Sequence, residues 1–253
     1  MSEPSPFSLE GKRILVTGAN TGIGRGNCLA AGRAGASVTG VGRSSMEETA
    51  GLMREIGAAF EPVACDLSDH AAAQTMFEAV WKKAPLDGLV NNAGIIRRQD
   101  AVEFSEENWD DVLDTNLKTT FFLCQSFGRH LLAAGRAGRI VNIASMLSFQ
   151  GGIRVASYTA SKHGVVGITR LLACEWAAKG ININAIAPGY IETNNTEALR
   201  ADPDRNAAIL TRIPAGRWGH PNDIGDAAVF LLSPASTYVH GTVLAVDGGW
   251  LAR

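Results

Sequence analysis

The sequence contains few cysteines, and their spacing excludes the motifs usually built from them. Cys28, Cys65, Cys124 and Cys174 lie far apart along the chain, so none forms a CxxC pair or a metal-binding spacing. We therefore expect reduced and mostly buried thiols, no metal site, and a cytoplasmic protein. A catalytic role for any of these thiols is not expected either.

The sequence also lacks an excess of positive charge. Lysine and arginine total 23, aspartate and glutamate total 25, and the formal net charge is −2. A protein that holds a nucleic acid presents a strongly basic surface to the phosphates. This charge balance therefore argues against a nucleic-acid partner.

Long hydrophobic runs are missing as well. The longest apolar stretches, such as residues 140–149, contain polar side chains and are shorter than the roughly 18 residues of a membrane span. Residues 1–12 contain neither a cationic nor an apolar segment, so no secretory signal is expected. The sequence thus predicts no membrane partner.

What the sequence has is an ordinary globular composition, with 46% hydrophobic and 19% charged residues, and a length of 253 that suits one α/β domain. Its 28 glycines indicate tight turns or close backbone approaches to a ligand. Short apolar runs recur, and several are apolar almost throughout, which is typical of strands buried in a parallel sheet. The runs are Arg13–Thr17, Ser37–Val41, Glu61–Cys65, Gly88–Asn91, Arg139–Ala144, Asn182–Ala187 and Thr242–Val246.

Longer amphipathic stretches lie between these runs and predict helices. They are Gly22–Ala34, Met46–Ile56, His70–Lys82, Asn108–Ala134, Ser157–Lys179 and Asn222–Leu232. The alternation of predicted strands and helices over residues 1–253 predicts an α/β fold. We expect a single doubly wound Rossmann domain of about seven parallel strands flanked by helices on both faces. Ligands of such folds bind at the carboxyl ends of the strands, near the point where the strand order reverses.

The first strand is followed by a glycine-rich turn and a helix. Glycines stand at positions 18, 22 and 24, a GxxxGxG spacing that differs from the general GxGxxG fingerprint. No Gly-Lys-Ser/Thr follows, which excludes a Walker A loop. Glycines between a strand and a helix let the backbone approach a pyrophosphate at the helix N-terminus, so this turn predicts a dinucleotide site.

The ends of the next two strands bear on which dinucleotide binds. The second strand ends without an acidic residue, and Arg43 stands where it could pair with a 2′-phosphate, which favours NADP(H). Arg43 could instead stack on an adenine or be a solvated charge, with Glu47 and Glu48 nearby. Asp66, after the third strand, could accept from an adenine amino group or cap the following helix.

The fourth strand ends in small and amide side chains. Its sequence is Asn91-Asn92-Ala93-Gly94, and the small residues leave room for a flat ring. We expect Asn91 to pin neighbouring strand ends and Asn92, Ala93 and Gly94 to face the cofactor.

A tyrosine and a lysine lie four residues apart in a predicted helix. This spacing puts Tyr158 and Lys162 on one face. A phenol has an ordinary pKa near 10, and a neighbouring ammonium lowers it by favouring the phenolate. Ser145, at the end of the fifth strand, could donate to a substrate carbonyl oxygen. Asn116 lies inside a predicted helix, where asparagine is a modest helix former, and could hold a water that relays protons to Lys162.

These motifs together resemble the short-chain dehydrogenase/reductase family over essentially the whole chain. The resemblance rests on Thr17-Gly18-x3-Gly22-x-Gly24, Asp66, Asn91-Asn92-Ala93-Gly94, Asn116, Ser145, Tyr158-x3-Lys162 and Pro188-Gly189-x3-Thr193. It implies a catalytic tetrad in which Tyr158 is the acid–base and Ser145 positions the carbonyl. Lys162 would hold the nicotinamide ribose and lower the tyrosine pKa, and Asn116 would anchor the water relay. It also implies a homotetramer, built around the helices that contain Asn116 and Tyr158 and around the C-terminal strand.

The resemblance implies a nicotinamide cofactor, either NAD(H) or NADP(H). It suggests NAD(H), whereas Arg43 suggests NADP(H), and both stay open at this stage. The expected cofactor residues are Gly18, Asn20, Gly22, Ile23, Gly24, Arg43, Asp66, Leu67, Asn92, Ala93, Gly94, Tyr158, Lys162, Pro188, Gly189, Ile191 and Thr193.

Residues 91–98, 145–154, 187–195, 212–219 and 245–253 resemble family members that act on six-carbon sugar acids from pectin and uronate breakdown. The substrate site is then expected in the C-terminal half, in loops at about 145–154 and 188–218. A guanidinium can bind a carboxylate through two parallel hydrogen bonds, and polar side chains can bind sugar hydroxyls. The expected substrate residues are Ser145, Gln150, Arg154, Tyr158, Arg97 and Arg98; each arginine could instead form a surface or intersubunit ion pair.

Three alternatives remain for the activity. Two are other reductases of the same family, acting on gluconate or on a 3-oxoacyl group carried by a carrier protein. A carrier-protein partner would need a basic docking patch, and the segment around Arg129 and Arg136 is sparse for that. The third is a non-catalytic dinucleotide-sensing protein, against which the intact tetrad argues.

Overall fold

Seven parallel strands form one sheet in the computed structural model, which describes residues 5–253. The expectation that the N-terminus contains no secretory signal concerns residues 1–12, and residues 1–4 of that segment lie outside the described range. The strands are β1 Arg13–Thr17, β2 Ser37–Gly42, β3 Phe60–Ala64, β4 Gly88–Asn91, β5 Gly138–Ile143, β6 Ile181–Pro188 and β7 Val243–Val246. Their order across the sheet is β3-β2-β1-β4-β5-β6-β7. The prediction of a doubly wound α/β fold is confirmed.

Nine α-helices accompany the sheet within residues 5–253. They are α1 Gly22–Arg33, α2 Glu47–Glu55, α3 His70–Lys83, α4 Glu106–Leu113, α5 Thr119–Ala134, α6 Ala156–Trp176, α7 Glu197–Ala201, α8 Pro203–Arg212 and α9 Pro221–Leu232. The strand order reverses between β1 and β4, so a crevice opens there at the carboxyl ends of the strands. This is the edge at which the glycine turn lies.

Two large apolar clusters, one on each face of the sheet, form most of the core. One joins β1 to α1 and α9 through residues such as Ile14, Cys28 and Leu231. The other joins the sheet to α3, α5 and α6 through residues such as Phe77 and Phe127. Strands covered on both faces explain the nearly continuous apolar runs in the sequence.

The predicted helix at residues 108–134 is interrupted in the structure. It consists of α4, a π-helical segment at Asp114–Lys118, and α5. Ser105 starts α4 by accepting from the Asn108 N–H at 3.2 Å, and Gly135 ends α5 with a φ of 59°. Single π-helical turns inside helices are frequent at functional sites. The periodicity alone could not show this change in winding, because the helix direction continues through it.

Helices α7 and α8 were not among the predicted helices. Asp202 caps α8, accepting from the N–H groups of Asp204 and Arg205 at 3.1 Å, and Pro203 occupies its first position. An acidic cap followed by proline is an established helix-start pattern, so the signal was present in the sequence. The segment is mostly polar, which made it resemble a loop.

Within residues 5–253, no helix combines the length and the hydropathy needed to cross a membrane. The same part of the chain contains no group of three or more histidine, cysteine or acidic residues placed to hold a metal ion. Cys28 and Cys124 are buried thiols, Cys65 is partly buried and Cys174 is exposed, and none is in a disulfide. Mostly buried thiols were expected, and two of the four fit that description.

Candidate active site

The turn after β1 has no space for side chains at its glycines. Gly18 and Gly22 have φ values of +67° and +52°. A Cβ on Gly24 would lie 1.9 Å from the carbonyl oxygen of Gly18, and a Cβ on Gly18 would lie 2.8 Å from Asn92 Nδ2. Glycine is required at these positions both for the backbone angles and for the close packing, and the bare backbone leaves room for a ligand.

Helix α1 begins directly after this turn, and no side chain caps its N-terminus. Its N-cap residue Thr21 makes no capping hydrogen bond, and its first turn contains no acidic residue. The first N–H groups of a helix lack partners inside the helix, and the helix dipole adds partial positive charge there. This end of α1 therefore fits the pyrophosphate of a dinucleotide.

A groove extends along the carboxyl edge of the sheet on both sides of the turn, and we call it the dinucleotide groove. It consists of two adjoining cavities of about 240 and 270 Å³. Most of the predicted cofactor residues line it, namely Gly18, Asn20, Gly22, Ile23, Gly24, Arg43, Asp66, Leu67, Asn92, Ala93, Gly94, Tyr158, Lys162 and Thr193. The groove therefore fits a dinucleotide in its position and in its lining.

Three predicted cofactor residues do not line the dinucleotide groove. Pro188 ends β6 and is buried, and Ile191 is buried in the core. Gly189 packs so closely on Asp247 that a Cβ would lie 2.6 Å from its Cα. Any contact of these residues with the cofactor would come from their backbone, and that contact stays a prediction.

Amide side chains hold the strand ends in place beneath the groove. Asn92 Nδ2 donates to the carbonyl oxygen of Thr17 at 2.9 Å, and the Asn92 N–H donates to the Thr17 hydroxyl at 2.9 Å. Asn91 Nδ2 donates to Asn142 Oδ1 at 2.9 Å, and Asn142 donates in turn to the Thr169 hydroxyl at 3.0 Å. Asn91 thus pins neighbouring strands, as the sequence predicted, and Asn92 fixes the glycine turn.

Arg43 lies at the outer end of the groove and is largely exposed, with 75% of its side-chain surface accessible. Its Nη1 is 3.6 Å from Asp66 Oδ2. Asp66 accepts hydrogen bonds from the N–H and hydroxyl of Ser68, which lower the pKa of its carboxyl. The N-cap of α3 is Asp69, which accepts from Ala72 at 3.0 Å. Of the two readings of Asp66, the helix cap is therefore excluded.

Tyr158 lies where the dinucleotide groove meets a second, larger cavity. This outer cavity has a volume of about 510 Å³ and is bounded by residues 145–155, residues 189–199, α8 and Trp250. Tyr158 lines both spaces, Lys162 lines only the groove, and Ser145 lines only the outer cavity. A group that touches both spaces can exchange a proton with a molecule that reacts between them.

Lys162 lies one helical turn beyond Tyr158 on the same face of α6. Its Nζ is 5.6 Å from the ring centroid of Tyr158 and donates to the carbonyl oxygen of Ile143 at 2.6 Å. Lys162 is 4% exposed, and this burial lowers its pKa to about 8. The lysine therefore carries its charge in a nearly water-free position beside the phenol.

The acidity of Tyr158 differs from the prediction. Burial raises the pKa of Tyr158 above its ordinary value, while the Ser145 hydroxyl and the Arg98 charge lower it by less. Lys162 is not among the groups that lower this pKa, because its Nζ donates to Ile143 and makes no hydrogen bond with the phenol among the described residues; an effect of its charge on the phenol stays a prediction. Tyr158 is thus held mainly as the neutral phenol.

Asn116 lies in the π-helical segment and is 1% exposed. Its Oδ1 accepts from the Ile95 N–H at 2.8 Å, and its Nδ2 donates to the Ile95 carbonyl at 2.9 Å. The side chain is therefore engaged with the loop after β4, so a water held by Asn116 stays a prediction. A Cβ on Gly94 would lie 3.3 Å from Asn116 Oδ1 and 3.7 Å from Lys162 Nζ, which places both residues beside the same glycine.

Of the predicted substrate residues, Gln150 and Arg98 line the outer cavity together with Ser145 and Tyr158. Gln150 Oε1 accepts from Trp250 Nε1 at 3.3 Å. Arg98 has no ion pair or side-chain hydrogen bond within residues 5–253. Both side chains are therefore placed to contact a molecule in the outer cavity.

Two predicted substrate residues lie elsewhere. Arg154 pairs with Asp100 at 2.8 Å, has a φ of +64° and is absent from the cavity wall, which includes its neighbours Ile153 and Val155. Arg97 pairs with Asp111 at 2.9 Å and borders the dinucleotide groove. Each guanidinium pairs with an acidic neighbour and neither lines the outer cavity, so a contact of these two arginines with a substrate stays a prediction.

Sequence reasoning missed residues that the structure places in the wall of the outer cavity. Arg205 and Arg212 come from α8, and Tyr190 and Trp250 come from the loop after β6 and the C-terminal segment. The arginines are seven residues apart, so they share a face of a helix. That signal could be used only after α8 had been recognised.

Comparisons with known proteins agree with this site. The family model described as enoyl-(acyl carrier protein) reductase, which covers short-chain dehydrogenases/reductases, matches residues 18–251. A 2-dehydro-3-deoxy-D-gluconate 5-dehydrogenase of Dickeya dadantii is 55% identical over 98% of this chain and 98% of its own length.

Two solved structures are also similar. One, from Agrobacterium tumefaciens and provisionally assigned as a 2-deoxy-D-gluconate 3-dehydrogenase with bound NADP, is 61% identical with a TM-score of 0.95. The other, from Beutenbergia cavernae and provisionally assigned as an NAD(P)-dependent gluconate 5-dehydrogenase with NADP at low occupancy, is 53% identical with a TM-score of 0.95. Each match covers 98% of this chain and 100% of the other.

The matches extend over the glycine turn, the tyrosine–lysine pair and the outer cavity. The solved structures agree with the seven-stranded sheet described above. The chain therefore belongs to the short-chain dehydrogenase/reductase family.

Proposed function

We propose that this protein is an NADP(H)-using oxidoreductase that interconverts a hydroxyl and a ketone of a sugar acid, with 2-dehydro-3-deoxy-D-gluconate as the preferred substrate class. The position of Tyr158 between the dinucleotide groove and an arginine-lined cavity carries the proposal. The similarity to a 2-dehydro-3-deoxy-D-gluconate 5-dehydrogenase and to a structure provisionally assigned as a 2-deoxy-D-gluconate 3-dehydrogenase supports it. Pectin breakdown is the proposed source of the substrate.

The cofactor is proposed to bind with its pyrophosphate at the start of α1 and its adenosine toward Arg43 and Asp66. When bound, a nicotinamide supplies or accepts the hydride. Arg43 is exposed and has only Asp66 at 3.6 Å as an ionic partner within residues 5–253, so it can turn toward a 2′-phosphate. Bound NADP in two similar structures supports the preference for NADP(H) over NAD(H).

The proton is proposed to pass through Tyr158. Because burial keeps Tyr158 protonated, it is ready to donate to the carbonyl oxygen of a ketone, while Ser145 donates a second hydrogen bond to that oxygen. In oxidation the phenol must first lose its proton, and the nearby Lys162 ammonium reduces the cost of forming the phenolate. Asn116 fixes the loop after β4 through Ile95, and this loop includes Gly94, which lies beside Lys162.

The same site supports a role for Lys162 in holding the cofactor. Its ammonium lines the dinucleotide groove, and one of its three donors is used by Ile143 at 2.6 Å. The remaining donors are available for ribose hydroxyls. Lys162 is thus proposed to hold the nicotinamide ribose and to assist Tyr158 electrostatically.

Gluconate is the second candidate substrate, because a similar structure is provisionally assigned as a gluconate 5-dehydrogenase. The two sugar acids share a carboxylate and differ at two carbons, C2 (ketone or hydroxyl) and C3 (methylene or hydroxyl), which Gln150 or Arg98 could distinguish. A non-catalytic sensor fits less well, since it has no need for a phenol placed between two binding spaces. A carrier-protein reductase fits less well too, because three arginines stand in the otherwise mostly apolar wall of the outer cavity, and an acyl chain offers them no anionic partner.

A substrate panel tests the proposal. Initial rates at 340 nm would be measured for 2-dehydro-3-deoxy-D-gluconate, D-gluconate and a 3-oxoacyl thioester, each with both nicotinamides. We expect the largest kcat/KM for the deoxy sugar acid with the NADP couple. Preference for the thioester, or no turnover of any compound despite cofactor binding, would reject the proposed substrate class.

The assembly and the cellular location are also part of the proposal. A homotetramer is proposed from membership of the family, and the exposed apolar side chains Trp109 on α4, Leu171 on α6 and Tyr238 after α9 are candidate subunit contacts. Cysteines without disulfides support a reducing, cytoplasmic environment. Light scattering of the purified protein tests the first point, since a monomer at micromolar concentration would reject it.

A further inference from the structure

The outer cavity contains three arginines and no acidic residue within the described range of 5–253. Arg98, Arg205 and Arg212 line it, and none has an ion-pair partner or a side-chain hydrogen bond among those residues. Arg154, in the loop beside the cavity, is by contrast paired with Asp100. Guanidinium groups gathered in one cavity without a carboxylate form an anion site, because each retains its hydrogen-bond donors.

The packing of α8 determines where two of these arginines point. Ile209 is buried against Trp218 and Trp250, and Trp218 Nε1 donates to Asn206 Oδ1 at 2.7 Å. With this face of α8 fixed, Arg205 and Arg212 follow at helical spacing, four residues before and three after Ile209. Their placement in the cavity wall therefore follows from the core contacts of the helix.

Arg212 stacks on an aromatic ring. Its guanidinium carbon lies 4.0 Å from the ring centroid of Trp250, and Trp250 is 5% exposed. Trp250 is itself fixed by its hydrogen bond to Gln150 and by contact with Tyr190 at 4.8 Å between ring centroids. A guanidinium stacked on an aromatic face keeps its in-plane N–H donors available, so it can bind a carboxylate in two parallel hydrogen bonds.

We infer that Arg212, stacked on Trp250 and assisted by Arg205 on the same face of α8, binds the carboxylate of the substrate. The inference rests on the proposed function, since it assigns one end of the sugar acid to α8. It places the carboxylate recognition on the C-terminal helical segment, whereas the reacting carbon lies near Tyr158 and Ser145. The same arginine would select sugar acids over neutral polyols of equal size.

Equilibrium binding tests this inference without turnover. Isothermal titration of the protein loaded with NADPH, which cannot accept a hydride, would use D-gluconate and D-glucitol, which differ at one end by a carboxylate and an alcohol. We expect Arg212→Gln to weaken D-gluconate binding by about 10- to 100-fold, as for loss of a charge-assisted hydrogen bond, and to leave D-glucitol binding unchanged. Arg212→Lys keeps the charge without the planar stack and should recover part of the loss.

Arg154→Gln is the matched control, because that arginine pairs with Asp100 outside the cavity. Its Kd for D-gluconate should stay within about two-fold of wild type. An unchanged Kd in Arg212→Gln, or an equal loss for D-glucitol, would overturn the inference. Circular dichroism melting of each variant shows whether a loss of binding reflects a loss of folding. If Arg212→Gln does not fold, the Kd of Arg212→Lys for D-gluconate tests the inference instead.

Turnover separates this inference from the proposed function. If wild type oxidises D-gluconate or 2-dehydro-3-deoxy-D-gluconate and Arg212→Gln has the same KM, the function stands and the carboxylate site is wrong. If wild type binds D-gluconate but turns over no sugar acid, and Arg212→Gln no longer binds D-gluconate, the site stands and the function is wrong. If wild type neither binds nor turns over sugar acids, both are wrong.

Discussion

The ammonium of Lys162 lies 5.6 Å from the ring centroid of Tyr158, one helical turn along α6. Burial acts on the two groups in the same sense, since it favours the neutral form of each. It raises the pKa of Tyr158 and lowers the pKa of Lys162 to about 8. The pair is therefore poised with the phenol protonated and with the lysine able to titrate in the working pH range of most enzymes.

Activity should depend on pH in opposite ways for the two directions. Reduction uses the protonated Tyr158, so its kcat/KM is expected to be level near neutral pH and to fall at high pH. Oxidation needs the phenolate, so its kcat/KM should rise with pH through 8 and above. Initial rates between pH 6 and 10 measure both limbs, and a rate of oxidation that falls over this range would contradict the assignment.

Arg98 should affect the pH at which kcat/KM changes in each direction, because its positive charge lowers the pKa of Tyr158. Replacing it in Arg98→Gln removes that charge and raises the pKa of the phenol further. The rising limb of oxidation is then expected at higher pH than in wild type, together with a higher KM for the substrate. Arg129→Gln, a change on the exposed part of α5, is the control and should leave the pH at which oxidation accelerates unchanged.

Lys162 should reduce the stability of the fold at neutral pH. The drop of its pKa from 10.5 to about 8 corresponds to roughly 3 kcal/mol of unfavourable free energy while the lysine is charged. The unfolded chain binds the proton more tightly, so this cost is full below pH 8 and disappears as the pH rises toward 10.5. Lys162→Met removes the charge but leaves the Ile143 carbonyl without its donor, which costs about 1 kcal/mol.

Urea denaturation of Lys162→Met and wild type from pH 6 to 10 measures this effect. The variant should be more stable by about 2 kcal/mol at pH 7, and the difference should shrink above pH 8. Lys82→Met, at an exposed position of α3, should show no such trend. A gap between Lys162→Met and wild type that widens with pH would contradict the burial argument.

Arg43 should decide between the two nicotinamides. Arg43→Ala is expected to raise the KM for NADP by about 10- to 100-fold and to leave the KM for NAD unchanged, because only NADP carries the 2′-phosphate. Arg54→Ala, on the exposed surface of α2, is the matched control. Equal turnover with both cofactors in wild type and in Arg43→Ala would reject a phosphate-binding role.

Gly24 should tolerate no side chain. A Cβ there would lie 1.9 Å from the Gly18 carbonyl oxygen, so Gly24→Ala must displace the turn that holds the pyrophosphate. We expect at least a 10-fold higher Kd for NADPH, measured by fluorescence titration. Gly51→Ala on α2 has nothing within 4 Å of the new Cβ and should bind NADPH as wild type does.

The sheet and the glycine turn could be predicted because their sequence signals are local. Apolar runs such as those ending at Thr17 and Asn91 indicate strands buried on both faces. Gly18 and Gly24 indicate a tight turn with no space for side chains. The π-helical winding around Asn116 could not be predicted, because it changes the hydrogen-bond register without changing the direction of the helix.

The substrate side was predicted less well because its arginines depend on partners distant in sequence. Arg154 and Arg97 were assigned to the substrate from their positions in loops, yet Asp100 and Asp111 bind them elsewhere. Arg212 reaches the outer cavity through the packing of α8 and the ring of Trp250, 38 residues later in the chain. Side-chain direction at this distance follows from tertiary contacts, which a single sequence does not show.

Tyr158→Phe is the most direct test of the central claim that this phenol transfers the proton. The substitution removes one hydroxyl and leaves the ring, the groove and Lys162 in place. We predict that kcat for the sugar acid falls by at least 1,000-fold in both directions, the scale of a lost general acid–base, while the Kd for NADPH stays within about three-fold. Substantial turnover by Tyr158→Phe with normal cofactor binding would contradict the account.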